Sequence, residues 1–137
     1  MSTKFPPQGS YTPTFLTTSA TSDVEEYTTS APYVATNTRV TVTLRKLGIV
    51  VGFASAMEKI NTAGIQAYMR VAIYDSAGIL KAAGESGGTT ITTYTEVTAL
   101  AVASLPPDTY TVRIEYGAAG GYTAYINNKR LYIFAIY

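Results

Sequence analysis

Thr109-Tyr110-Thr111-Val112-Arg113-Ile114-Glu115-Tyr116 decides the fold. Tyr110, Val112, Ile114 and Tyr116 fall on one face; Thr109, Thr111, Arg113 and Glu115 fall on the other. A period of two with β-branched and aromatic residues is that of a half-buried strand. The apolar face assigns Tyr110 and Tyr116 to a core. Just before it, Leu105-Pro106-Pro107-Asp108 makes a sharp turn, and Thr90 to Ala103 reads as a long strand rich in Thr, Val and Ala. Further upstream, Ala67, Met69, Val71 and Ile73 alternate with Tyr68, Arg70, Ala72 and Tyr74. Asp75-Ser76-Ala77-Gly78 closes that strand into a hairpin whose return is Ile79 to Ala83, with Gly78 free to take positive φ.

The same rhythm extends in both directions. Val40, Val42 and Leu44 alternate with Thr and Arg, whereas Ile49 to Ala54 is apolar on both sides and suits an inner strand. Ala54 to Ile60 is compatible with either a helical turn or a continuing strand. After Gly117–Gly121 the last segment, Tyr122 to Tyr137, breaks at Asn127-Asn128 and ends apolar on both faces, so it must be covered within the sheet or by a neighbour. Short strands at spacings of about 8–12 residues, joined by Gly, Pro and Asn turns, predict an antiparallel β-sandwich or barrel of seven to eight strands, over residues 37–137.

Residues 1–36 differ. They are rich in Ser, Thr and Pro, and Pro6, Pro7, Pro13 and Pro32 disfavour helix. They read as an extended N-terminal arm that cannot form a core, yet it carries Phe5, Tyr11, Phe15, Leu16, Val24, Tyr27 and Tyr33, which need cover. An arm of 36 residues spans at most ~120 Å. It can pair with an exposed sheet edge of a neighbour, or Tyr11–Thr18 can form the first strand of its own sheet.

Residues from about Arg39 to Tyr137 resemble the jelly-roll β-sandwich modules of virion and tail proteins of phages and archaeal viruses. The resemblance rests on Gly48–Ala56, then Gln66-Ala67-Tyr68-Met69-Arg70-Val71-Ala72-Ile73-Tyr74-Asp75, then Leu105-Pro106-Pro107-Asp108-Thr109-Tyr110-Thr111-Val112-Arg113-Ile114, and the closing strand Tyr122 to Tyr137. Pro-Pro-Asp stands where such modules commonly have a Gly-containing turn. The resemblance implies an all-β, antiparallel jelly-roll-like sandwich and a structural role.

Composition narrows the chemistry. The chain has no Cys and no His, which removes thiol nucleophiles, thiolate metal sites, and the commonest general base and transition-metal ligand. Gly84–Gly88 and Gly117–Gly121 lack the Lys and the helix of a phosphate loop. The patch Asp23-Val24-Glu25-Glu26 reads as a solvated turn in preference to a weak cation site, because hard-cation loops need more oxygens at defined spacing. Asp75, Glu85 and Asp108 sit in turns, Glu96 and Glu115 on strands, and no pair converges as glycoside hydrolysis requires. The sequence therefore predicts no enzyme, no catalytic residues, no metal and no cofactor.

A net charge of +1 and dispersed Lys and Arg argue against nucleic acid. No apolar run approaches the ~20 residues of a membrane helix, and the N-terminus lacks a signal peptide's apolar region. Cytoplasmic synthesis is expected, followed by residence in a virion or an extracellular assembly. Twelve Tyr remain. Tyr68, Tyr74 and Tyr125 are candidate surface contacts, suited to subunit packing or to stacking on sugar rings. Self-assembly into a virion, tail, or extracellular filament or tube through the arm and sandwich edges is the first expectation. A receptor- or carbohydrate-binding module, such as a tail-fibre tip, is the alternative, with a cell-surface glycan as the further possible partner.

Overall fold

The structure, a computed structural model, describes residues 12–137. Phe5 and Tyr11 of the arm lie outside the described residues. Nine strands form two antiparallel sheets: β1 Phe15–Ser22, β2 Glu26–Thr28, β3 Val34–Leu44, β4 Gly48–Ile60, β5 Ala67–Tyr74, β6 Leu80–Glu85, β7 Thr95–Leu105, β8 Asp108–Ala118 and β9 Ala124–Ile136. Sheet A runs β1-β9-β4-β7, with β2 also beside β9; sheet B runs β3-β8-β5-β6. Every connection crosses between the sheets except β1–β2 and the β5–β6 hairpin. This is jelly-roll winding, and it fills eight strand positions because β1 and β2 share one.

Strand alternation builds the core. Val42, Leu44, Val71, Ile73, Val112 and Ile114 of sheet B face Val50, Ala54, Ile60, Leu131 and Ile133 of sheet A, all buried. Tyr110 and Tyr116 are buried among them. The hairpin turn follows its chemistry: Asp75 Oδ1 accepts from the Ala77 and Ile79 amides at 3.0 and 2.9 Å, and Gly78 takes φ 79°.

One open alternative is decided and two segments differ from the sequence expectation. Ala54 to Ile60 continues as strand, because both flanking strands, β7 and β9, pair along it. The expected break at Asn127-Asn128 is a bulge inside a continuous β9. Asn128 takes φ 47° there, and the register against β4 shifts between Ser55 and Met57. β3 begins at Val34, earlier than Arg39. Its first turn of ladder is polar but inward: Thr36 and Thr38 are buried, and Thr36 Oγ1 donates to the Ile114 carbonyl at 2.8 Å.

The arm residues from Phe15 to Thr28 lie on sheet A of their own chain. Phe15 to Ser22 pairs with Ile136 to Lys129, and Glu26 to Thr28 pairs with Ile126 to Ala124. Leu16 packs on the core. The fully buried Lys129 ties the strap down, its Nζ donating to the Val24 carbonyl at 2.5 Å and pairing with Glu26 at 2.9 Å.

Candidate functional site

Register places an unusual set of side chains on the outer face of sheet A. Phe15, Ile136, Ile49 and Ser104 lie side by side across β1, β9, β4 and β7. Thr17, Phe134, Val51 and Val102 form the next row, and Ser19, Tyr132, Phe53 and Leu100 the third. Nine of these twelve positions are apolar or aromatic. Strand alternation turns them away from the core, and Phe15, Leu100 and Val102 are more than half exposed, at 62%, 54% and 57%. Phe15 and Phe134 contact each other at 6.0 Å between centroids. A trough of about 480 Å³ runs along this face between β1 and Phe53. Contiguous exposed apolar surface is a feature that interaction sites share.

Beyond the third row the face turns polar. Thr21, Arg130, Ser55 and Thr98 form a row, with Arg130 paired to Asp23 at 2.9 Å. At the far end Tyr27 packs on Tyr125 at 6.1 Å, and Lys59 lies 4.6 Å from the Tyr94 ring and 5.1 Å from Tyr125. Tyr94 donates to Glu25.

The outer face of sheet B is built on a buried acid. Glu115 points outward, as strand alternation requires, but its side chain is only 2% exposed. Arg70 Nε reaches one carboxylate oxygen at 2.7 Å; Arg113 Nε and the Tyr74 hydroxyl reach the other at 2.6 Å each. Burial alone would raise the carboxyl. The hydrogen bonds from Tyr74, Arg70 and Arg113 outweigh it and hold Glu115 below its ordinary range. Each guanidinium also covers a ring: Arg70 lies 4.2 Å from Tyr33, and Arg113 lies 4.2 Å from Tyr74. Tyr33 meets Tyr68 edge-on at 5.9 Å. Burial, then the nearby Glu85, pushes the Tyr33 hydroxyl up to about 12.

Glutamine at 115 leaves two guanidiniums without their anion. The expected cost is about 2 kcal/mol, below the range for fully buried pairs because both arginines keep contact with water. The carboxyl is held low in the fold, so its contribution is complete above the ordinary carboxylate range and disappears as pH falls through the folded value. Urea midpoints of Glu115→Gln and parent should therefore differ at neutral pH and converge in acid. A gap that persists unchanged in acid would contradict this.

The sequence-selected residues thus divide among three places. Phe15 joins the apolar rows of sheet A; Tyr27 and Tyr125 come together at its far end; on sheet B, Tyr33 and Tyr68 meet at one end of β5 and Tyr74 stands beside Arg113 at the other. Leu16 faces inward, and Val24 is exposed beside Lys129. Sequence reasoning did not single out Arg70, Arg113 and the buried Glu115, although their parity on β5 and β8 places them on one face. Among the described residues no group of three or more acids could hold a metal ion, and no helix is long and apolar enough to cross a membrane.

No family model matches the chain, and no curated protein does. A solved structure with detectable likeness is the CBM36-1 domain of a multidomain xylanase from the hindgut metagenome of Trinervitermes trinervoides. It is 12% identical, over 85% of this chain and 96% of that chain, with a TM-score of 0.36. A likeness at that level transfers neither ligand nor activity.

Proposed function

We propose that this chain is a non-enzymatic structural subunit that associates with copies of itself through the outer face of sheet A, as a component of a repeating assembly such as a virion, a tail or a filament. The observation that carries this is the block of nine apolar side chains on that face. A second copy is the occupant that fits. The three apolar rows span roughly 20 Å by 19 Å at ordinary strand spacings, or ~400 Å², and the polar rows beyond them extend the face along β4 to roughly 43 Å by 19 Å, or ~800 Å². That equals the ~800 Å² each partner contributes to a standard stable interface. Six of the nine apolar residues lie on the central strands β9 and β4, and the flanking strands β1 and β7 mix Phe15, Val102 and Leu100 with the hydroxyls of Thr17, Ser19 and Ser104. The opposite charges of Arg130, Lys59, Asp23 and Glu96 lie at the polar end, so the face does not repel its copy.

Sedimentation of the full chain over a wide concentration range tests this. Association should be present in the parent and weakened about 30-fold or more in Phe53→Glu, since a central contact is worth ~2 kcal/mol. Phe53 is 40% exposed, so folding of the variant is checked by its unfolding midpoint at concentrations where the parent is dissociated, and a modest drop is expected. A monomeric parent at every concentration would overturn the proposal.

A second reading, a carbohydrate-binding module, is favoured by a different observation. Tyr33 and Tyr68 with Arg70 at one end of β5, and Tyr74 with Arg113 at the other, lie on sheet B, the face that self-association through sheet A leaves free.

A further inference from the structure

On the outer face of sheet B, Arg39 of β3 stands directly opposite Arg113 of β8. Like charges in that position cost stability unless something offsets them. Arg113 is partly neutralised, because its Nε is engaged by Glu115. Arg39 is exposed and makes no ion pair among the described residues. The two guanidiniums border a trough of about 470 Å³ that also takes in Tyr74, Asp75, Thr109 and Thr111. This volume suits a small organic ligand, for which sites span about 300–1,000 Å³, and is far larger than a single inorganic ion needs.

We propose that this trough binds an acidic saccharide. The sugar carboxylate lies between Arg39 and Arg113, whose forked N–H groups suit a planar carboxylate. The sugar hydroxyls meet Thr109, Thr111 and the free oxygen of Asp75. Asp75 Oδ1 already serves the hairpin turn, which fixes the carboxylate group in place and leaves Oδ2 as an acceptor. Asp75 also repels a second acid, so the ligand's negative charge is confined to the Arg39 end. The Tyr74 ring is held by two contacts, its hydroxyl on Glu115 and Arg113 across its face, so the floor of the site is rigid before ligand arrives. Two guanidiniums with an acid beside them do not make a phosphate track, which excludes nucleic acid as the occupant.

The inference rests on the carbohydrate-binding reading and is independent of sheet A. Calorimetric titration of the full chain tests it with three probes: a glucuronate-containing oligosaccharide, the same oligosaccharide with its carboxyls reduced to alcohols, and sodium acetate. The acidic oligosaccharide should bind, and the other two at least about tenfold more weakly. Arg39→Ala should weaken binding about 10- to 100-fold, the range for a lost charge-assisted hydrogen bond, with an unfolding midpoint equal to or above the parent's, since the like-charge pair is relieved. Arg39→Lys should fall between. Equal binding of the acidic and reduced oligosaccharides would overturn the acid recognition while leaving a carbohydrate-binding role standing. Equal binding of acetate would reduce the trough to a simple anion site and overturn the inference. No binding by any probe would overturn the inference for this trough, and full binding by Arg39→Ala would remove the assigned residues.

Discussion

Methionine in place of Glu58 should stabilise the fold at pH 7 by about 3 kcal/mol and flatten its pH dependence across the neutral range. Glu58 lies on β4 facing the core, is fully buried, and neither carboxyl oxygen has a hydrogen-bond partner among the described residues. Burial pushes its carboxyl from 4.5 up to about 9. At neutral pH the folded chain therefore carries a neutral acid, whereas the unfolded chain ionises it. The folded state holds a proton that the unfolded state has released. Stability from this group is complete below 4.5 and is lost as pH rises towards 9. The slope is about 1.4 kcal/mol per pH unit, which gives the figure at pH 7.

The charged and titratable neighbours do not relieve Glu58. Lys129 is spent on Glu26 and the Val24 carbonyl. The Tyr116 hydroxyl is itself raised, by burial first and then by Glu26 and Glu58. Methionine fills a similar volume without a polar atom. Urea midpoints measured from pH 5 to pH 9 check the result. If parent and Glu58→Met lose stability with the same slope, the buried carboxyl is not the cause.

Glu58 could have been found from the sequence by parity alone. Once β4 is one strand from Gly48 to Ile60, Val50, Ala54 and Ala56 fix the inward set, and Glu58 falls in it. What hid it was the segment Ala54 to Ile60. Its small residues and single acid satisfy a helical turn as well as a strand, and only the pairing with β7 and β9 decides between them. β8 and the β5–β6 hairpin were plain because period and turn chemistry agree there. β1 was obscure for the opposite reason: it faces the core chiefly through Leu16 and Ala20. Its place is set by backbone pairing with β9, which composition does not encode.

The sites show the same division. Ile49, Val51 and Phe53, like Tyr132, Phe134 and Ile136, are visibly apolar on a face that a single sheet leaves outside. The sequence therefore showed that cover was needed. It did not show that these two strands are neighbours, nor that Phe15, Val102 and Leu100 complete their rows, because register between distant strands is a tertiary property. The Glu115 cluster was missed because a lone acid on the polar side of a strand reads as solvated. Its partners come from β8 itself and from β5, at a separation of 45 residues for Arg70.

Alanine at Gly84 should cost about 3 kcal/mol or more, and lower the melting temperature by about 10 °C. In most strand interiors the same change is favourable by ~0.5–1 kcal/mol, because alanine loses less backbone freedom on folding. Here the sign reverses. A Cβ on Gly84 would lie 1.6 Å from the Leu100 carbonyl oxygen, 2.3 Å from its carbon and 2.9 Å from the Ala101 nitrogen. All three are backbone atoms of β7, so no rotamer change can clear them. β6 is an edge strand of sheet B and β7 an edge strand of sheet A, and Gly84 lets the two sheets close against each other along that side. Opening the gap by the ångström or more that a methyl demands would loosen Val97, Ala99 and Ala101, which seal the core from β7. Gly87→Ala is the control, since nothing lies within 4 Å of its added Cβ and its φ is ordinary. The two variants should differ by nearly the whole effect in urea midpoint. A Gly84→Ala protein as stable as Gly87→Ala would mean that β6 and β7 do not approach at Leu100 as described. Because the Leu100 side chain belongs to the third apolar row of sheet A, a Gly84→Ala chain that still folds should also associate more weakly than the parent.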